Sequence, residues 1–248
     1  MRQWCAALAA ATLSGCVTSE TVRFDAKTNQ QAMVRDGQPA LVSRQRNSIV
    51  IIRPAAREMR PGARPVFVVG MYNLTKAPLD FRVSDVTVTQ TVGGQAAKLE
   101  VITYETLVSE EKTRQVFQAV AVGLAAGANA AAASNAGRYS SSSTVYGPRG
   151  TYNVHTTGYD PTAAAIAQSN ASAQNEAMIS ATIERGQANL GMLERTVIKD
   201  NTLLPGEWYG GQLHIQPLVS DSAPKTYQIA LRVGADQHVI SITQASVQ

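Results

Sequence analysis

Cysteine is nearly absent: the 248 residues contain two, Cys5 and Cys16, so nothing beyond residue 16 offers a thiol. A disulfide framework and a cysteine nucleophile in the body of the chain are thereby excluded. Histidine is almost as scarce, with His155, His214 and His238 alone, and none stands at zinc-ligand spacing from another histidine or a cysteine. Each is expected to be an ordinary hydrogen-bonded or exposed residue, His214 and His238 on strands. Charged residues are few (16%), aromatic residues make up 6%, and the net charge of +4 is spread thinly. Its one concentration, Arg53, Arg57, Arg60 and Arg64, stands among prolines without interleaved aromatics, which reads as a solvated loop rather than a nucleic-acid surface.

Catalytic patterns are missing too. Ser140–Ser143 lacks the glycine-flanked turn of a hydrolase nucleophile. Gly147-Pro148-Arg149-Gly150 does not join a strand to a helix as a phosphate cradle would. No carboxylates are paired at a spacing that fixes them on one face. The expectation is a protein that is not an enzyme, with no catalytic residues, no metal, no small-molecule substrate and no nucleic-acid partner. Trp208 and Tyr209 read as core aromatics at a strand entry.

What is present begins at the N-terminus. Arg2 precedes an apolar run from Trp4 to Leu13, of the length of a secretory signal and too short for a membrane span. The run closes on Leu13-Ser14-Gly15-Cys16. Those four residues resemble the lipobox of bacterial outer-membrane lipoproteins. The resemblance implies a signal peptide over 1–15, cleavage after Gly15, and a covalent lipid (palmitate among its chains) on Cys16, with no other cofactor. Val17, in place of an aspartate, fits the outer-membrane destination of that family, anchored by lipid and facing the periplasm. Several acyl chains, at ~0.8 kcal/mol per buried methylene, hold a protein on a bilayer without a span. With Cys5 and Arg2 removed, the mature chain carries +3 and no free thiol.

Residues 16–38 are polar and without sustained period, which reads as a lipidated tether. Residues 39–104 and 197–248 read as strands. Ile49–Ile52 and Val66–Val69 are continuous β-branched and aromatic runs, implying burial on both faces. Leu79, Phe81 and Val83 alternate with polar residues, and the parity flips at Ser84-Asp85, a bulge or a change of sheet. Gly93-Gly94 makes a turn, and Leu99–Tyr104 a further strand. Gly211–Gln216 turns Leu213 and Ile215 inward. Tyr227, Ile229, Leu231 and Val233 alternate cleanly, and Gly234–Gln237 then turns into His238–Thr243. About seven strands between glycine and proline turns predict an immunoglobulin-like β-sandwich. Asn73–Leu79 and Leu204-Pro205-Gly206-Glu207 are similar to turns of bacterial extracytoplasmic immunoglobulin-like domains.

The fold class expected is therefore mainly β with an α insertion: a sandwich interrupted over 105–196 by a long antiparallel helical hairpin. Ser109 caps a first helix running to about Ala136, with Val116, Val120, Gly123, Gly127 and Ala130 as its packing stripe. Asp160 and Pro161 start a second, towards Arg195, with a heptad face of Ile179, Ile183, Gly186, Leu190, Leu193 and Val197. Gly123 and Gly127 form GxxxG within an apolar run of almost membrane-span length. Gln118 and Asn129 interrupt it, and alanine adds little transfer energy, which favours helix packing. Residues 137–159 read as a flexible loop whose Tyr139, Tyr146, Tyr152 and Tyr159 are, with Gly123 and Gly127, the partner-binding candidates. The functional expectation is a non-catalytic assembly module of the cell envelope that binds a protein partner or its own copies. The alternative is a pore or secretion-channel component whose inserted hairpin oligomerises in the membrane.

Overall fold

A computed structural model of the chain describes residues 19–35, 37–60, 62–216 and 224–246. Gly15, Cys16 and the signal segment expected over 1–15 lie outside the described residues. The described chain falls into two compact units, one built from the residues up to Thr103 and from Val197 onward, the other from Tyr104–Thr196.

The first unit is two antiparallel sheets. The strands are β1 (Glu20–Asp25), β2 (Gln30–Arg35), β3 (Gln38–Arg44), β4 (Ser48–Pro54), β5 (Val66–Asn73), β6 (Leu79–Phe81), β7 (Thr87–Val92), β8 (Gln95–Leu99) and β9 (Val101–Ile102). The second unit supplies α1 (Tyr104–Asn135), β10 (Arg138–Gly147), β11 (Gly150–Tyr159) and α2 (Pro161–Thr196). Beyond it come β12 (Asn201–Leu203), β13 (Trp208–Ile215), β14 (Lys225–Val233) and β15 (Asp236–Ser246). One sheet runs β1-β15-β14-β6-β12, with β7 also paired to β14 and β8 to β7; the other runs β2-β3-β4-β5-β13-β9. Their inner faces share one core, in which Leu41, Val50, Ile52, Phe67 and Leu213 of one sheet meet Phe81, Val88, Tyr227, Ile229 and Ile242 of the other. Phe67 and Tyr227 pack edge to face across it at 6.3 Å.

Several expectations meet a different outcome here. Residues 16–38, read as a tether, contain β1 and β2, because Val22 and Phe24 are buried and Glu20 is buried against a partner about two hundred residues away. With such strands added, the two sheets hold thirteen strands among the described residues rather than about seven. The runs Ile49–Ile52 and Val66–Val69 bury alternate residues, not both faces: Val50, Ile52, Phe67 and Val69 face the core while their neighbours are half-buried. The parity flip at Ser84-Asp85 is a single 3-10 turn, Val83–Asp85, and β6 and β7 on either side of it belong to the same sheet. The change of sheet comes instead at Glu100, between β8 and β9, inside what reads as one strand. Trp208 is not a core residue; it is 53% exposed and stacks on Tyr72 at 4.9 Å.

The terminal hairpin follows its sequence pattern. Tyr227, Ile229, Leu231 and Val233 are all buried, and Gly234 turns the chain with φ +57° where an added Cβ would stand 2.8 Å from Leu79.

Candidate functional site

The second unit carries the features that need a functional explanation, and its local chemistry explains its shape. Asp160 Oδ1 accepts the backbone N–H groups of Thr162 (2.8 Å) and Ala163 (3.1 Å), and Pro161 follows at the first helical position, so α2 begins where its sequence says. The start of α1 differs from expectation. Its first residue is Tyr104, and Ser109 lies within the helix, its carbonyl accepting the Thr113 hydroxyl.

The two helices meet in opposite directions, since low numbers on α1 pair with high numbers on α2. Gln115 donates to the Gly186 carbonyl (3.0 Å), Asn129 to Asn175 (3.0 Å), and Asn175 to the Ala126 carbonyl (3.2 Å). Tyr104 donates to Glu194 nearer the helix ends. Glu111 is the centre of the largest cluster. Its carboxylate accepts from Arg114 (2.6 and 2.9 Å), Gln115 (3.1 Å) and Asn189 (3.2 Å) while only 8% exposed. Burial pushes its pKa upward, but these hydrogen bonds and the Arg114 charge together hold it below the usual carboxylate value.

The packing seam is therefore not the stripe expected from the large apolar residues. On α1 it runs through Glu111, Gln115, Gln118, Val122, Ala126, Asn129 and Ala133. On α2 it includes Ala164, Ala171, Asn175, Thr182 and Gly186. Both repeat in steps of eleven residues (Glu111, Val122, Ala133; Ala164, Asn175, Gly186), which keeps straight helices in contact better than a heptad would. Of the heptad face expected on α2, only Gly186 is buried within the helix; Ile179 and Ile183 are 46% and 55% exposed. An added Cβ at Gly186 would stand 2.8 Å from the Gln115 side chain, so this glycine makes room for the hydrogen bond.

Gly123 and Gly127 lie on the other side. Nothing stands within 4 Å of a Cβ built on either, so neither is a packing residue between α1 and α2. Around them Val116, Phe117, Val120 and Leu124 are 58–73% exposed. From Gln115 to Gly137 α1 and the turn after it carry no charged residue. By length and composition α1 is apolar enough to cross a membrane.

Residues 137–159 are not a structureless loop. β10 and β11 form a regular two-stranded ribbon over ten residue pairs, Arg138 opposite Tyr159 to Gly147 opposite Gly150. Sequence reasoning missed it because serine and threonine give neither face enough apolar mass to look like a strand. The available signal was the alternation of Tyr139, Val145, Tyr152 and Val154 with polar residues. Gly137 closes the base, where a Cβ would stand 2.6 Å from the Asp160 carbonyl and 2.8 Å from Ala164. Tyr139 lies across Gly158, and the Tyr152 ring sits 3.6 Å from a Cβ built on Gly147. Tyr139, Tyr146, Tyr152 and Tyr159 are all 55% or more exposed.

The first unit holds one constellation with the ingredients of nucleophilic catalysis, which the sequence did not disclose because its members lie on three strands and a loop. His238 Nε2 is 2.9 Å from Ser48 Oγ, its Nδ1 is 2.9 Å from Ser43 Oγ, and Ser48 donates to Asp236 at 2.8 Å. Asn47 donates to the same carboxylate from its backbone (2.7 Å) and side chain (3.0 Å). Burial lowers the His238 pKa to about 4, with Asp236 opposing, so the ring is neutral near pH 7. The tautomer follows. A carboxylate can only accept, so the Ser48 proton goes to Asp236; Ser48 Oγ then accepts from His238 Nε2–H, and Ser43 donates to Nδ1. Ser43, Ser48 and His238 are completely buried, and the carboxylate contacts the serine rather than the imidazole. The chain of bonds ties β15 of one sheet to β3 and β4 of the other and presents no nucleophile to solvent.

Among the described residues no three His, Cys, Asp or Glu side chains gather where they could share a metal ion. Searches of protein-family models, curated proteins and solved structures find no match to this chain.

Proposed function

We propose that this chain is a lipid-anchored, non-catalytic assembly module of the bacterial cell envelope, held in the outer membrane through Cys16 and facing the periplasm. Its two sheets are an immunoglobulin-like sandwich, and α1 and α2 are a helical hairpin that binds a protein partner, in the first instance further copies of the chain. The observation that carries the reading is the outer face of α1. Val116, Phe117, Val120 and Leu124 are left in water while Glu111, Gln115 and Asn129 are turned inward. Soluble helices are ordinarily arranged the other way, and contiguous exposed apolar residues mark association surfaces.

Two measurements test it. Cells fed labelled palmitate should yield a labelled protein in the outer-membrane fraction, and Cys16→Ala should lose both label and fractionation. Replacing Tyr104–Thr196 with a short glycine-serine linker joins Thr103 to Val197, whose neighbours Ile102 and Val197 itself both contact β13. The purified full chain should form a complex larger than a monomer, and the linker form should not. Equal monomeric mass for both, with no shared co-purifying protein, would sink the assembly reading.

A further inference from the structure

Ten residues is the length at which a tilted antiparallel strand crosses the hydrocarbon layer of a bilayer. β10 and β11 each have ten. At ~3.3 Å per residue such a strand is about 33 Å long, and a tilt of about 40° leaves about 25 Å of height, the apolar band of a transmembrane barrel.

The distribution of charge agrees with that height. Between Tyr139 and Tyr159 the only Asp, Glu, Lys or Arg is Arg149, at the turn, while Arg138 and Asp160 flank the base. Tyr139 at the base and Tyr152 next to the turn share the face of Val145 and Val154, at the two levels where aromatic side chains sit at membrane interfaces, while Tyr146 and Tyr159 stand on the opposite face. The faces also differ. The register puts Tyr139, Val145, Tyr152 and Val154, with Ser141, Ser143 and Thr156 between them, on one side of the ribbon. Ser142, Thr144, Asn153 and His155, with Tyr146 and Tyr159 at the ends, are on the other, where Thr144 and Asn153 are hydrogen-bonded across at 3.0 Å. Both faces are exposed, and each strand pairs on one edge only. A lone two-stranded ribbon with two open edges is marginal in water and invites pairing with another chain.

We infer that the ribbon, not the helices, is the membrane-crossing element: β11 of one copy pairs antiparallel with β10 of the next. The ring closes as a transmembrane β-barrel of two strands per copy, with Val145, Tyr152 and Val154 towards lipid and Ser142, Thr144 and Asn153 towards a water-filled lumen. This rests on the self-assembly reading above and names its product. A second copy is the occupant that fits both edges. The order β10, β11, β10, β11 stays antiparallel throughout, and each joint sets Asp160 at the base of one ribbon beside Arg138 of the next. Closure removes every edge, which a spanning sheet requires because lipid offers no hydrogen bonds. The helix pair is unsuited to the same role. The part of α2 alongside the apolar stretch of α1 carries Glu176, Glu184 and Arg185, so insertion would bring those charges into lipid. Outside the bilayer, the exposed apolar side of α1 is covered by the neighbouring copy.

The full-length protein, purified in detergent and reconstituted into vesicles of phosphatidylethanolamine and phosphatidylglycerol, tests this with single cysteines at Val145, Thr144, Asn153 and Val154, each carrying an environment-sensitive fluorophore. Quenching by nitroxide-labelled lipid should alternate, strong at Val145 and Val154 and weak at Thr144 and Asn153, with iodide giving the reverse. Dye release should fall about tenfold or more for Val154→Arg and stay within about twofold for Asn153→Arg, since a charge is costly only on the lipid face. Circular dichroism confirms that both variants are folded. A complex of several copies whose four positions are all open to iodide overturns the barrel and leaves self-assembly standing. A monomer in detergent and in vesicles overturns both.

Discussion

Protonating His238 should destabilise the two-sheet unit from within. The ring is completely buried between Ser43 and Ser48, and its pKa is lowered from 6.5 to about 4. Unfolded chains therefore bind the proton first as the pH falls. Stability is fully present above pH 6.5 and is lost as the pH drops through the window down to about 4. A difference of that size is worth about 3 kcal/mol by pH 4, with roughly half of it gone near pH 5.2. Urea unfolding followed by tyrosine and tryptophan fluorescence measures it, with stabilities from linear extrapolation. Comparison with His238→Gln separates this group from the carboxylates that titrate nearby in both proteins. The variant loses the bridge from Ser43 to Ser48 and should be about 2–4 kcal/mol less stable near pH 7. It lacks the titration, so the gap between the two should close by about 3 kcal/mol as the pH reaches 4. A gap that stays constant within about 0.5 kcal/mol across that range would refute the neutral, single-tautomer network and its burial as the cause.

Three further outcomes follow from groups with named partners. Lys225 donates to Glu20 at 3.2 and 3.3 Å with both residues almost completely buried, so Lys225→Met should cost about 3–5 kcal/mol in urea unfolding. Adding Glu20→Gln to it should recover most of that loss. Asp160→Ala removes the acceptor for the Thr162 and Ala163 N–H groups and should cost about 1 kcal/mol, seen as lost helicity and a lower thermal midpoint. Glu111, its pKa held below the usual value, stabilises the α1–α2 contact above pH 4.5 and loses that contribution as the pH falls below it. Glu111→Gln should abolish this pH dependence in helix melting, and an unchanged profile would remove Glu111 from the seam's energetics.

Local chemistry was the part of the fold legible in the sequence. Asp160-Pro161 starts a helix because a carboxylate and a ring-fixed φ act on the next few residues alone, and Gly234 turns a hairpin because only the backbone at that point matters. What escaped depends on distant partners. Glu20 makes β1 look like a polar tether, and only Lys225 and Gln244, more than two hundred residues on, explain its burial. The His238 network escaped for the same reason, since Ser43 and Ser48 are ordinary strand residues until β15 lies opposite them. The ribbon escaped because its pattern of two is written in serine, threonine and tyrosine.

The misread helix stripe carries the most information. Val116, Val120, Gly123 and Gly127 read as a packing face on the rule that large apolar and small residues turn towards a neighbour. That side of α1 is open and exposed, and the seam with α2 is made by Glu111, Gln115, Asn129 and Asn175 instead. Hydrogen bonds of this kind fix the register of two helices, but they bury little apolar area and leave the apolar face of α1 in water. The rule and the fold agree if the stripe serves the contact between chains proposed above. The same reasoning applies to the ribbon that α1 leads into, which has two open edges and exposed faces. Under the assembly proposed above, two elements joined in sequence, an exposed helix face and an open-edged strand pair, are both covered by one operation, the addition of identical neighbours around a ring.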